Sequence, residues 1–344
     1  MFKNKLLKRF STSSLVIVPL IVGAITLGGC SANPVTGKKD FSLISKDQEV
    51  AMGAQGHRDI LKTMKRYNNP ALQAYVNNIG QALAKKSHRR DIRYTFTVLD
   101  DPTVNAFALP GGYIYITTGL MAYLNSEGEL AGVLGHEIGH VTARHGVKQQ
   151  SASIAGAILI DLLSKKAGAG SAKSLNQFGT ALIRGYGRDH ELQADKLGAE
   201  YLARVGYQPQ SMIDVVSVLK AQEEFDKFQA RQEGRKPRAY HGVFSTHPSN
   251  DLRLKQVINA AKRFKTAGTR PTNHDGYLKH INGMKYRIDK RHTGRIVVGR
   301  ATTRGLTYAK LARRSKVGEQ RLRLLNGMFP RGEPVHGRLV KIIN

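Results

Sequence analysis

The most chemically pointed group in the chain is His136-Glu137-Ile138-Gly139-His140. Four residues turn an α-helix by about 400°, so His136 and His140 fall about 40° apart on one face, a turn from each other. Two imidazoles so placed can chelate one metal ion. Glu137 is rotated around the helix and flanks the ion, where a carboxylate suits a general base acting on metal-bound water. The helix is legible too. Ser126 and Glu129 form a capping box, and Leu130, Val133, Leu134, Ile138 and Val141 make an apolar stripe away from the histidines. Gly132, Gly135 and Gly139 each cost roughly 1 kcal/mol inside a helix, which argues for close packing or access at those positions.

A catalytic zinc uses three protein ligands and keeps one position open. Glu191 and Asp195, in Arg188-Asp189-His190-Glu191-Leu192-Gln193-Ala194-Asp195, are again four apart. One of these carboxylates can ligate the metal. The other can hydrogen-bond a ligand histidine or handle a proton. His145 lies near the same face and, as a lone histidine beyond the motif, is expected to be structural.

Together these segments resemble the HtpX-like and CAAX-prenyl-protease-like zinc metallopeptidases, which are gluzincins. Asn105-Ala106-Phe107-Ala108-Leu109-Pro110-Gly111-Gly112 and Thr246-His247-Pro248, with Arg253 beyond, match as well. With Asn33-Pro34-Val35-Thr36-Gly37, the pattern is similar to the family's periplasmic lipoprotein branch. The resemblance covers roughly residues 30–264. It implies one Zn²⁺ per chain, held by His136, His140 and Glu191, with Glu137 as general base. Asp195 matches the position assigned as proton donor, though its spacing places it behind a ligand. The resemblance makes His247 a removable fourth ligand or an oxyanion stabiliser on a loop over the site, unless it is only a turn histidine capping the helix that Pro248 opens and that carries Arg253. It makes Asn105, Ala106 and Phe107 an edge strand to which an extended substrate adds. The sequence departs from the pattern at Gln193, where an acid is common, and at Gly187, where a serine is usual. The implied activity is zinc-dependent endoproteolysis of unfolded or misfolded envelope proteins, in outer-membrane quality control.

The elements around these motifs fit an α+β, mainly helical zincin-type domain with a small β-sheet, spanning 46–265. Helical patterns run over 46–64 and 70–86, with Asn69 as cap and Pro70 at the first position of the second. Ile92, Tyr94, Phe96 and Val98 alternate as a strand does, and Tyr113–Thr117 is β-rich. From about Ser126 to Phe264 the chain reads as mostly helical. The apolar run Ile154–Leu163 is too short to span a bilayer and is read as a core helix or a mobile flap.

The N-terminus addresses the protein. Lys3, Lys5, Lys8 and Arg9 precede an apolar Leu15–Leu27, then Gly28-Gly29-Cys30. This reads as a secretory signal over 1–29, and it resembles a lipobox, which implies lipid attachment at Cys30. A polar tether is expected over 30–45. Ser31 after the cysteine favours the periplasmic face of the outer membrane. Lys+Arg 54 against Asp+Glu 25 give +29, a surface drawn to polyanions; export argues against nucleic acid. After Lys265 the chain carries 18 Lys/Arg against 4 Asp/Glu, close to half of the net charge. This small α+β module, 270–344, looks like a divergent LysM-type unit. Its implied partner is peptidoglycan, unless the tail simply packs on the protease domain.

Overall fold

The computed structural model describes residues 30–167, 187–237, 251–264 and 270–344. The leader assigned to 1–29 and His247 lie outside them. The described chain is α+β and mainly helical.

The stretch expected to be a tether contains a hairpin. Strand β1 (Cys30–Ala32) pairs antiparallel with β2 (Lys39–Phe41). Asn33 makes the turn, its Oδ1 accepting from Val35 N at 2.8 Å and Thr36 N at 3.1 Å. Helix α1 (Lys46–Thr63) then opens on a complete capping box of Ser45 and Gln48. Helix α2 (Pro70–Ala84) opens on Asn69, whose side chain accepts from Leu72 N.

The main sheet has β3 (Thr95–Leu99), β5 (Tyr113–Thr117) and β4 (Ala106–Leu109), in that spatial order. Strand β3 runs parallel to β5, and β4 pairs antiparallel at the edge. The alternation seen from Ile92 becomes strand only at Thr95. A short helix α3 (Thr118–Met121) leads to α4 (Glu127–Thr142), which carries His136, Glu137 and His140. Helices α5 (His145–Ala167), α6 (Arg188–Val205), α7 (Gln210–Gln232) and α8 (Asp251–Lys262) follow. None of the described helices is long and apolar enough to cross a membrane.

Helix α4 is the hub. It packs on α6, α7, α2 and β4, and every residue from Gly128 to Thr142 is buried. The expected apolar stripe is therefore only one side of a helix enclosed all round. Its cap differs slightly from the expected box. Ser126 Oγ accepts from Glu129 N, but the Glu129 carboxylate takes Asn125 N–H at 2.7 Å, one residue earlier.

The basic tail forms α9 (His274–Ile281), β6 (Lys285–Arg287), β7 (Thr293–Arg300), α10 (Tyr308–Ala312), α11 (Glu319–Leu325) and β8 (Leu339–Ile343). The sheet order is β6-β7-β8, all antiparallel. This tail shares one apolar cluster with the helices before it. Tyr277 donates to Met121 O at 2.6 Å, and the Tyr123 and Tyr286 hydroxyls meet at 3.0 Å.

Lys341 drives deepest. It is fully buried, and its Nζ donates to Ala122 O and Leu124 O at 2.8 Å each. Burial holds its pKa down while the Glu129 charge works in the opposite sense. These contacts hold the loop that enters α4. Lys341→Met keeps the bulk but strands two carbonyls and the Glu129 charge. It should destabilise the fold by about 3 kcal/mol in denaturant unfolding; an unchanged midpoint would show that the lysine holds nothing.

Candidate metal centre

Helices α4 and α6 bring the site together, and small residues let them. A Cβ on Gly139 would lie 2.9 Å from Ala194 O, and one on Gly198 would lie 3.1 Å from His136 N. No larger side chain fits between the helices at these points.

His136, His140 and Glu191 each offer a ligand atom, all within 4.8 Å of one another, and all three residues are buried. The two Nε2 atoms are 3.0 Å apart. Glu191 Oε2 lies 3.5 Å from His136 Nε2, and Oε1 lies 3.4 Å from His140 Nε2. Among the described residues this is the only such His/Cys/Asp/Glu group. The two carboxylates left open by their spacing thus take separate places. Glu191 faces both Nε2 atoms, whereas Asp195 Oδ1 meets His136 Nδ1 at 2.8 Å, behind the ring.

The other histidine is backed differently. His140 Nδ1 lies 2.9 Å from His145 Nδ1, and His145 Nε2 lies 3.0 Å from Gln193 Oε1. His145 stacks on His190 with ring centroids 4.1 Å apart. Burial, reinforced by the His190 charge, pushes the His145 pKa down to about 3, so the ring is neutral near pH 7. Gln193 Oε1 can only accept, so it takes the Nε2–H of that neutral ring and leaves Nδ1 as an acceptor. In this arrangement His140 donates from Nδ1 and turns Nε2 inward. Asp195 imposes the same tautomer on His136.

Two Nε2 atoms and a carboxylate therefore converge, an arrangement that favours a positive charge between them. His136 shows the same preference: burial opposes its charged form, but Asp195 and Glu191 outweigh that and raise its pKa to about 10, so its Nε2 holds a proton until a cation takes its place. Two imidazoles and one carboxylate are a donor set suited to zinc, and they leave room for a fourth ligand. Glu137 is buried and lines the same apolar pocket as His136, Asp195 and Ala106.

Ala106 lies on β4, at the edge beside α4. Thr117 N–H donates to Asn105 O at 3.0 Å. Antiparallel alternation then turns the backbone of Phe107 toward β5, and those of Ala106 and Ala108 away from it. The Phe107 ring stacks on Tyr115, with centroids 4.7 Å apart. Arg253 is on the backbone of α8, and Cys30 is on the backbone of β1. The roles of His145 and Gln193 escape sequence reasoning. The only signal was a histidine nine residues after His136, which by itself reads as structural.

If Asp195 orients His136, Asp195→Ala should weaken zinc binding about 10–100-fold. Competition against a chromogenic chelator measures this, and an unaltered affinity would rule the role out.

The model of Peptidase family M48 matches residues 70–261. The chain is 30% identical to the beta-barrel assembly-enhancing protease of Yersinia pestis over 268 residues, 74% of this chain and 53% of the relative. It is 25% identical to the mitochondrial metalloendopeptidase OMA1 of Schizosaccharomyces pombe over 250 residues, 69% of this chain and 70% of the relative. It is 28% identical to the metalloprotease YcaL of Escherichia coli (strain K12) over 183 residues, 52% and 66% of the two chains. The chain spans about half the length of the beta-barrel assembly-enhancing proteases it matches. The family match takes in α4, α6 and every residue of the candidate metal centre, and on it the chain belongs to peptidase family M48.

Proposed function

We propose that this protein is a zinc endopeptidase that cuts extended segments of unfolded or misfolded envelope proteins. The observation that carries it is the convergence of His136 Nε2, His140 Nε2 and Glu191, with Asp195 and His145 behind the two imidazoles at hydrogen-bonding distance. One zinc ion per chain would be held there. Zinc, when bound, supplies Lewis acidity to a scissile carbonyl and makes water easier to deprotonate.

The chain's own residues do the rest. Glu137 takes a proton from water and delivers it to the departing amine. Asp195 and His145 keep the two histidines aimed. The outward main-chain groups of Ala106 and Ala108 bind an extended substrate as an added strand. That mode reads backbone, so it suits unfolded protein of varied sequence. The pocket lined by Leu120, Val133, Met212, Val215 and Leu219 opens on Glu137 and suits an aliphatic side chain next to the cut bond. His247 acts as a removable fourth ligand or oxyanion stabiliser, with Arg253 on the helix that follows it.

Glu137→Gln should keep one zinc per chain and lose casein cleavage by about 10²–10⁴-fold; zinc bound with equal cleavage would overturn the mechanism. In the same assay His247→Ala should change the rate, and an unchanged rate would remove His247 from the site.

The setting belongs to the same proposal. Relatives named for enhancing β-barrel assembly support a role in envelope quality control. Cleavage before Cys30 and lipidation would hold the protein on the inner leaflet of the outer membrane, facing the periplasm. The strand-helix-helix-strand order of β7, α10, α11 and β8, with Asn326-Gly327 after α11, supports a LysM-like unit that binds peptidoglycan. Cys30→Ala should move the protein from the membrane to the soluble fraction. The soluble protein should then sediment with purified sacculi; a failure in either assay removes that contact from the proposal.

A further inference from the structure

We propose that His145 is a positioning residue for the metal ligand His140, and that the left-handed turn at Arg144, held by Glu49, is what sets it in place. This rests on the metal centre proposed above and goes beyond its ligand set.

Helix α4 ends at Thr142 and α5 begins at His145. Between them Arg144 has φ 56, one of two non-glycine residues with positive φ among the described residues. A side chain with a Cβ is disfavoured there, so something must hold it. Arg144 Nε donates to Glu49 Oε2 at 2.9 Å, and its Nη2 donates to Ile44 O at 3.0 Å. Glu49 is 1% exposed, and its other oxygen accepts from Arg89 Nη1 at 2.6 Å. A buried carboxylate between two guanidinium groups is a fixed point, not a surface contact.

The turn has a direct geometric product. It separates α4 from α5 directly before His145, which lies only five residues after His140. With it, the two Nδ1 atoms meet at 2.9 Å, and Gln193 and the His190 ring hold the far side of His145. His136 is backed by a carboxylate, while His140 is backed by another imidazole, itself fixed by Gln193. Glu137, Glu191 and Asp195 already place three carboxyl groups around the site, and His145 orients His140 without adding a fourth.

The test compares two substitutions of similar size, one with a polar end and one without. Asn places a side-chain oxygen close to where Nδ1 of histidine stands; Leu fills similar space and accepts nothing. His145→Leu should weaken zinc about 10–100-fold in chelator competition and alter the visible spectrum of the cobalt(II)-loaded protein. His145→Asn should restore most of the affinity and the wild-type spectrum. Gln193→Leu, at a partly exposed position, should weaken zinc several-fold through loss of the tautomer, and it serves even if His145→Leu does not fold. Equal affinity in Leu and wild type, equal loss in Leu and Asn, or an unaffected Gln193→Leu would each overturn the proposal. Wild-type protein that binds no zinc would instead overturn the metal centre itself.

Discussion

Helices α4 and α6 carry His136, Glu137, His140, Glu191 and Asp195, and they lie so close that a Cβ on Gly139 would press on the Ala194 carbonyl. Everything chemical depends on that approach. Imidazole and carboxylate side chains are short, and a separation larger by a methyl group would part Glu191 from both Nε2 atoms. The glycines weaken α4 as an isolated helix. The surrounding core compensates, since α2, β4, α6 and α7 enclose it. Stability and site geometry therefore come from the same contacts, and the helix has no solvent face to accommodate error.

Much of this was legible in advance because it is periodic or local. His136, Glu137 and His140 follow from a four-residue step, Asn69 and Pro70 from helix-start chemistry, and the edge position of β4 from a family pattern. The division of labour between Glu191 and Asp195 was legible only through the family resemblance, not from their spacing. Both lie on one helix face, and only the offset between α4 and α6 decides which carboxylate meets the Nε2 atoms. Lys341 was hidden for a similar reason. In a tail with 18 basic residues, nothing local distinguishes the one whose Nζ is buried against two carbonyls. The hairpin within 30–45 was signalled by Asn33 and Gly37 but masked by polar composition. The box at α4 shifted by one residue because Glu129 found the Asn125 N–H.

Glu49 joins parts that the sequence keeps far apart. It lies near the start of α1, yet it binds Arg144 just after α4 and accepts from Gly111 N at 3.4 Å, in the turn between β4 and β5. One carboxylate thus ties the edge strand to the turn behind His140. The edge strand and the candidate metal centre are registered to each other through it. Side chains outside the candidate site can therefore set where β4 stands relative to Glu137.

The contact between Lys341 and the Ala122–Leu124 loop spans 219 residues. A contact of that sequence separation carries a large loop-closure entropy. The loop it holds is the one that leads into α4, so β8 and the helix bearing His136 and His140 are tied into one body. Loosening β8 would therefore be felt at the candidate metal centre, although Lys341 itself lies outside it.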